Sequence, residues 1–188
     1  MFDHFKSGWQ VVKNGLVGWI IFGIVLMVLM SFGVGIFFMP NAYRAIRNAA
    51  QAQSAPEIGA LFNFDHIVED AVAMIVYTVA IWIGSLLCGV GAIAAMLLLF
   101  WLPMLAAEGR YAAIDAAKAS LAHAKANIGA IVVFLLIAWL INMGGAMVCY
   151  VGVLVTFPVT MAAQWLFYSQ HRDAILAAAN AAGVPTKP

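Results

Sequence analysis

Charge is what this chain has least of. Only 9% of its 188 residues are Asp, Glu, Lys or Arg, against about 25% in an ordinary soluble domain. A water-soluble fold of this length could not cover its surface with so few ionisable groups. The net charge of +1 leaves no basic stripe of the kind that binds nucleic acid, so no nucleic-acid partner is expected. The chain has two cysteines and four histidines. Two cysteines cannot build a disulfide scaffold, and a structural zinc site wants four ligands. No H-E-x-x-H or comparable spacing occurs. No catalytic residue, metal or cofactor is therefore expected.

Long apolar stretches are what the chain has instead. It is 65% hydrophobic. Three runs carry no Asp, Glu, Lys, Arg or His: residues 14–43, 71–107 and 128–170. Each holds a glycine-centred turn: SFGVG at 31–35, CGVGA at 88–92 and CYVGV at 149–153. A tilted helix needs ~20 residues to cross a hydrocarbon core ~30 Å thick. The third run is ample for two arms, the second fits a tilted pair, and the first is short. In the first, the second arm meets Arg44 and Arg47 early. It spans only if those side chains snorkel and the helix continues to Gln53.

This pattern predicts an all-α integral membrane protein, a bundle of three helical hairpins over about 15–50, 71–107 and 127–171. Six spans are expected, with five as the alternative if the first run crosses once. Residues 1–173 form a single membrane domain and 174–188 a loose cytoplasmic tail. The positive residues are Lys6, Lys13, Arg44, Arg47, Arg110, Lys118, Lys125, Arg172 and Lys187. With each glycine turn at a hairpin tip, all of them share one side, which the positive-inside rule makes the cytoplasm; both termini lie there.

The segments between the runs carry their own signals. Asp3, His4, Lys6 and Lys13 around Phe2, Phe5, Trp9, Val11 and Val12 predict a short interfacial helix, with Trp9 at headgroup level. A secretory signal peptide is rejected, because the following run is too long for an h-region and no small-x-small site closes it. Ser54-Ala55-Pro56-Glu57 has capping-box spacing, which predicts a helix over 55–62 laying Ile58, Leu61 and Phe62 on the membrane surface. Asp65, Glu69 and Asp70 favour a helix start through its dipole. Residues 108–127 read as an alanine-rich polar helix, with Asp115 and Lys118 paired three apart. Ser7…Asn14 and Ser120…Asn127 echo each other ahead of apolar runs, and Pro40, Pro103 and Pro158 follow the turns, as a duplication would leave them.

A few polar and small residues inside the runs are the candidates for a role. Asn142, Thr156, Thr160 and Gln164 provide either a polar lining or interhelical hydrogen bonds. Ala80, Gly84 and Cys88 recur every four residues as a helix-packing stripe. Pro103 should kink or stop the arm that holds it. Cys88 and Cys149 occupy equivalent tip positions; they read first as small packing residues, and a bridge requires alpha carbons within about 7 Å. Asp3, His4, Asp65, His66, His123, His171 and Asp173 supply the acid–base groups without ligand spacing.

The stretch Glu108-Gly-Arg-Tyr-Ala-Ala-Ile-Asp-Ala-Ala-Lys-Ala-Ser120, then Lys125-Ala-Asn127 and the apolar run to Cys149-Tyr-Val-Gly-Val-Leu-Val-Thr-Phe-Pro158, resembles a broad group of bacterial polytopic membrane proteins. Some of them are named after the membrane domain attached to certain glycerophosphodiester phosphodiesterases. The resemblance implies a helical domain of six spans in the bacterial inner membrane. It implies no phosphodiesterase activity, since that chemistry sits in a soluble barrel for which this chain has no room. The expected function is a non-enzymatic accessory or scaffold module that packs helices and binds another membrane protein or a second copy. The alternative is a transporter or channel for a lipid or small neutral solute. A membrane enzyme or metalloprotein comes third.

Overall fold

A computed structural model describes residues 2–86, 89–147 and 152–187, and among these it is helical, without strands. In chain order the helices are α1 (Phe2–Lys13), α2 (Leu16–Ser31), α3 (Met39–Ala52), α4 (Ile67–Ser85), α5 (Val90–Leu98), α6 (Leu102–Glu108), α7 (Ala113–Met147) and α8 (Val153–Ala181). Single 3₁₀ turns cover Gly35–Phe38 and Ile58–Phe62. Among the described residues three helical stretches are long and apolar enough to cross a membrane: Ile67–Ser85, Val90–Glu108 and Ala113–Met147. A fourth is reached if α1 and α2, bent by 106° at their junction, count as one span.

The run that looked most secure for two spans therefore supplies only one of these stretches. Pro158, Thr156, Thr160, Gln164 and the polar end after Tyr168 dilute α8, although it continues unbroken to Ala181. α3 is absent from the set for a different reason. It is only 14 residues long, and it buries Pro40, Asn41, Ala42, Tyr43, Ala45, Ile46 and Ala49 while Asn48 and Gln51 stay exposed toward its end.

The chain divides into two compact units, residues 1–63 with 133–170 and residues 64–132 with 171–188. In the first, Trp19, Phe22, Leu26, Tyr43, Ile46, Leu61, Phe134 and Phe167 are buried. The Phe134 ring lies between those of Phe5 and Phe167, with centroid distances of 5.0 and 4.7 Å. α1 was expected at the membrane surface. Its Phe5, Val11 and Val12 are instead buried. Gly8 sits so close to α8 that an added Cβ would come within 3.0 Å of Ala163 N. Only its polar side, with Trp9, Lys6 and Lys13, is left exposed.

The capping box at Ser54 does not form. Glu57 is extended, no side chain caps the turn, and the 3₁₀ helix begins only at Ile58. Tertiary contacts prevail over the local signal here. The Trp19 indole donates to the Ser54 carbonyl (3.2 Å), and Ala55 fits against Gly15, where an added Cβ would meet Ala55 N at 2.9 Å. Leu61 points inward rather than to the membrane, fully buried. Asn41 holds the segment by donating to the carbonyls of Leu61 (3.0 Å) and Asn63 (2.7 Å).

In the second unit α4 packs along α5 and α6. The break between α5 and α6 falls at residues 99–101, ahead of Pro103, which sits harmlessly in the first turn of α6. Ser120 closes the break: its hydroxyl donates to the Leu98 carbonyl (2.9 Å) and accepts from the Trp101 N–H (3.2 Å). α7 is bent at Asn127, whose φ/ψ of −126/21 is not helical. The tail beyond 173 is not loose. It stays helical to Ala181, turns at Gly183 (φ 67), buries Val184 and lets the Lys187 N–H donate to the Arg110 carbonyl (2.8 Å).

Glycine sets the closest helix contacts. A Cβ on Gly91 would lie 2.6 Å from the Gly84 carbonyl oxygen, and one on Gly152 would lie 2.8 Å from Gly145 Cα. Each pair is seven residues apart across its turn, within the repeated pattern G-x-x-x-C-x-x-G. Small-residue contacts of this kind let two backbones approach without side chains between them. Cys88 and Cys149 themselves lie outside the described residues, so their pairing and the end of the Ala80–Gly84–Cys88 stripe do too. We predict that Gly91→Val and Gly152→Val each cost about 1–3 kcal/mol by overpacking. Gly129→Ala, with nothing within 4 Å of its added Cβ, should be neutral or slightly stabilising. Thermal unfolding in detergent checks this; equal midpoints for Gly91→Val and Gly129→Ala would refute it.

Candidate functional site

α7 and α8 meet through Asn142 in the first unit. Its amide nitrogen donates to the Ala138 carbonyl (2.9 Å) and to Thr160 Oγ1 (3.2 Å), and its carbonyl oxygen accepts from the Thr156 hydroxyl (3.0 Å). The Thr160 hydroxyl donates in turn to the Phe157 carbonyl (2.8 Å). Four positions singled out by sequence thus separate into two kinds. Asn142, Thr156 and Thr160 bond one another. Gln164, one turn further along α8, has no hydrogen bond to any described residue.

Gln164 lies on the wall of a pocket of about 370 Å³, within the ~300–1,000 Å³ of small-molecule sites. Asn142 and Thr160 line it as well. The remaining wall is apolar or aromatic: Met30 of α2, Met39 and Tyr43 of α3, Phe134, Leu135 and Ala138 of α7, and Phe157 and Met161 of α8. No charged side chain lines it. Three methionines give this wall adaptable side chains that mould to irregular shapes. Met30, Met39 and Tyr43 were invisible as site residues in the sequence, since nothing local marks them. The α2–α3 connection and the face of α3 that turns inward bring them there.

In the helix-packing stripe, Gly84 is occupied by Gly91 of the same chain, and Ala80 is half-buried on α4. The acid–base residues fall in both units. Asp3 and His4 belong to α1, with the His4 ring edge-on to Phe167 at 5.4 Å. Asp65 and His66 are exposed ahead of α4, and Asp173 is exposed on α8.

The second unit does bring His123 and His171 together. Their ring centroids are 5.9 Å apart, and the Trp101 ring stands 5.8 Å from His123 and 5.7 Å from His171. Two imidazoles and an indole make no metal site. Among the described residues, no three His, Cys, Asp or Glu are placed to hold an ion. Nearby, Arg172 grips Glu108 with two bonds of 2.5 and 3.2 Å, and Arg110 approaches the same carboxylate at 3.4 Å. This fork-to-fork pairing is the strong form of a charged hydrogen bond. Sequence reasoning missed it because 64 residues separate the partners. Lys187 also pairs with Glu69 at the start of α4.

His123 lies in the polar part of α7, ahead of the charge-free run that begins at residue 128. Burial, and then the facing His171, push its pKa below the ordinary 6.5. Burial likewise raises the Tyr111 hydroxyl above the usual 10.0. For His123 the unfolded chain takes up a proton first as the pH falls. Its contribution to stability is therefore complete above 6.5 and is lost below that value, toward the lower folded pKa. We predict that unfolding midpoints drop as the pH is lowered from 7.5 to 5, and that His123→Phe flattens this dependence. An unchanged pH profile in that variant would count against the assignment.

No family model matches the chain, and neither a curated protein nor a solved structure matches it.

Proposed function

We propose that this chain is a non-enzymatic, multi-pass membrane protein that holds a small apolar molecule, a lipid or neutral solute, in the pocket of its first unit. The observation that carries the reading is the pocket wall: uncharged, rich in methionine and aromatic side chains, with the Gln164 amide on it to orient an occupant. Such concave, mostly apolar sites with a few convergent polar groups are the usual form of a ligand site. The lack of any charged lining group favours a neutral occupant over an ion, because ion and proton paths normally use intramembrane ionisable residues.

The accessory, partner-binding reading ranks second. Gly84, the residue of the small-residue stripe best suited to close approach, already packs on the chain's own Gly91, so a partner helix would need another face. The resemblance along Glu108–Pro158 favours a bacterial inner-membrane location. The grouping of positive residues in the polar segments favours both termini on the cytoplasmic side.

Native mass spectrometry of the protein extracted from its own membrane should find one small molecule retained per chain. Ala138→Trp, which fills the pocket, should abolish that retention while leaving the protein folded. Equal retention by the variant, or none by the wild type, would sink the proposal. For topology, single cysteines at Lys6 and Lys125 in a background without Cys88 and Cys149 should both be shielded from an impermeant thiol reagent in intact cells. Labelling of the Lys6 position alone would favour the five-span arrangement.

A further inference from the structure

We infer that the occupant is an uncharged amphiphile, such as a monoacylglycerol, whose hydroxyl or ester carbonyl is held by the Gln164 amide. This inference rests on the ligand-binding reading of the pocket and adds the chemical class. The hydrogen-bond accounting leads to it. Both N–H groups of Asn142 are committed, to Ala138 and Thr160, and its carbonyl oxygen already takes the Thr156 proton. The Thr160 proton goes to Phe157. Gln164 is left with two donors and an acceptor that no described residue uses, half-buried on the same wall.

An amide with both donor and acceptor free complements a group that is itself both, and a hydroxyl beside an ester carbonyl is such a group. A phosphate or carboxylate would want a cation or several convergent N–H groups. The lining has no Lys, Arg or His. Arg44, next to Tyr43 in sequence, donates to Asn41 instead (2.5 Å). Burying an unpaired anion against methionine and phenylalanine would be strongly unfavourable. A bare hydrocarbon would fit the wall but leave the Gln164 amide unsatisfied.

The test measures equilibrium binding of radiolabelled monopalmitoylglycerol to the full chain in detergent micelles. Competition by unlabelled lysophosphatidic acid of the same chain length and by hexadecane is measured beside it. Wild type should bind monopalmitoylglycerol saturably, and both competitors should be at least about tenfold weaker. Gln164→Leu should lose about five- to tenfold in affinity for monopalmitoylglycerol, the worth of one hydrogen bond, and should bind hexadecane at least as well as before. Gln164→Asn, which keeps the amide one methylene short, should recover part of the preference. If Ala138→Trp leaves saturable binding intact, the pocket reading itself fails. If Ala138→Trp blocks binding but Gln164→Leu is unaltered, or lysophosphatidic acid competes equally, the pocket stands and the assigned class is overturned.

Discussion

A polar group set into a mostly apolar chain has to find its partner within that chain, because neither lipid nor a hydrocarbon-lined interior will supply one. That requirement explains much of the local architecture. Asn41 draws in the carbonyls of Leu61 and Asn63. Asn142 ties two threonines of α8 to α7. Arg172 and Glu108 satisfy each other with two bonds. Each of these side chains acts as a fixed joint, and in each case the partner comes from a distant part of the sequence or from the next helix. Against this background Gln164 is informative because it stands outside the rule.

The same requirement decides which features could be read from residue order. Charge-free runs located the helices well, because lipid-facing helices need length and apolarity but few specific partners. The packing role of Gly84 was readable for a similar reason: small residues are the signal for close backbone approach, and Gly84 meets Gly91 there. The readings that failed depend on tertiary partners. Ser54 and Glu57 have ideal capping-box spacing, yet Trp19 and Gly15 hold the segment extended. α1 looked like a surface helix because its apolar face would suit lipid equally well, and that face is covered by protein. The tail past 173 looked like a frayed helix and loose end from composition, while Lys187 finds Glu69 and Arg110.

The candidate site was half readable. Thr156, Thr160 and Gln164 stood out by their four-residue spacing, and Asn142 by being an amide inside an apolar run. What spacing could not say was how these four divide their hydrogen bonds, since that depends on where α7 and α8 cross. Nor could it supply the opposite wall, where Met30, Met39 and Tyr43 are ordinary apolar and aromatic residues placed by a turn and an inward-facing helix face.

The interruption between α5 and α6 falls within an otherwise apolar stretch. A break in a helix usually exposes peptide groups, and in an apolar setting that makes a weak point that invites water. Here one hydroxyl, Ser120 on α7, takes both the loose carbonyl of Leu98 and the loose N–H of Trp101. The break is thus a sealed articulation. Val90–Glu108 runs on across the break as one apolar stretch without leaving an open seam. The start of α6 and the end of α5 are thus pinned to α7 through a single side chain.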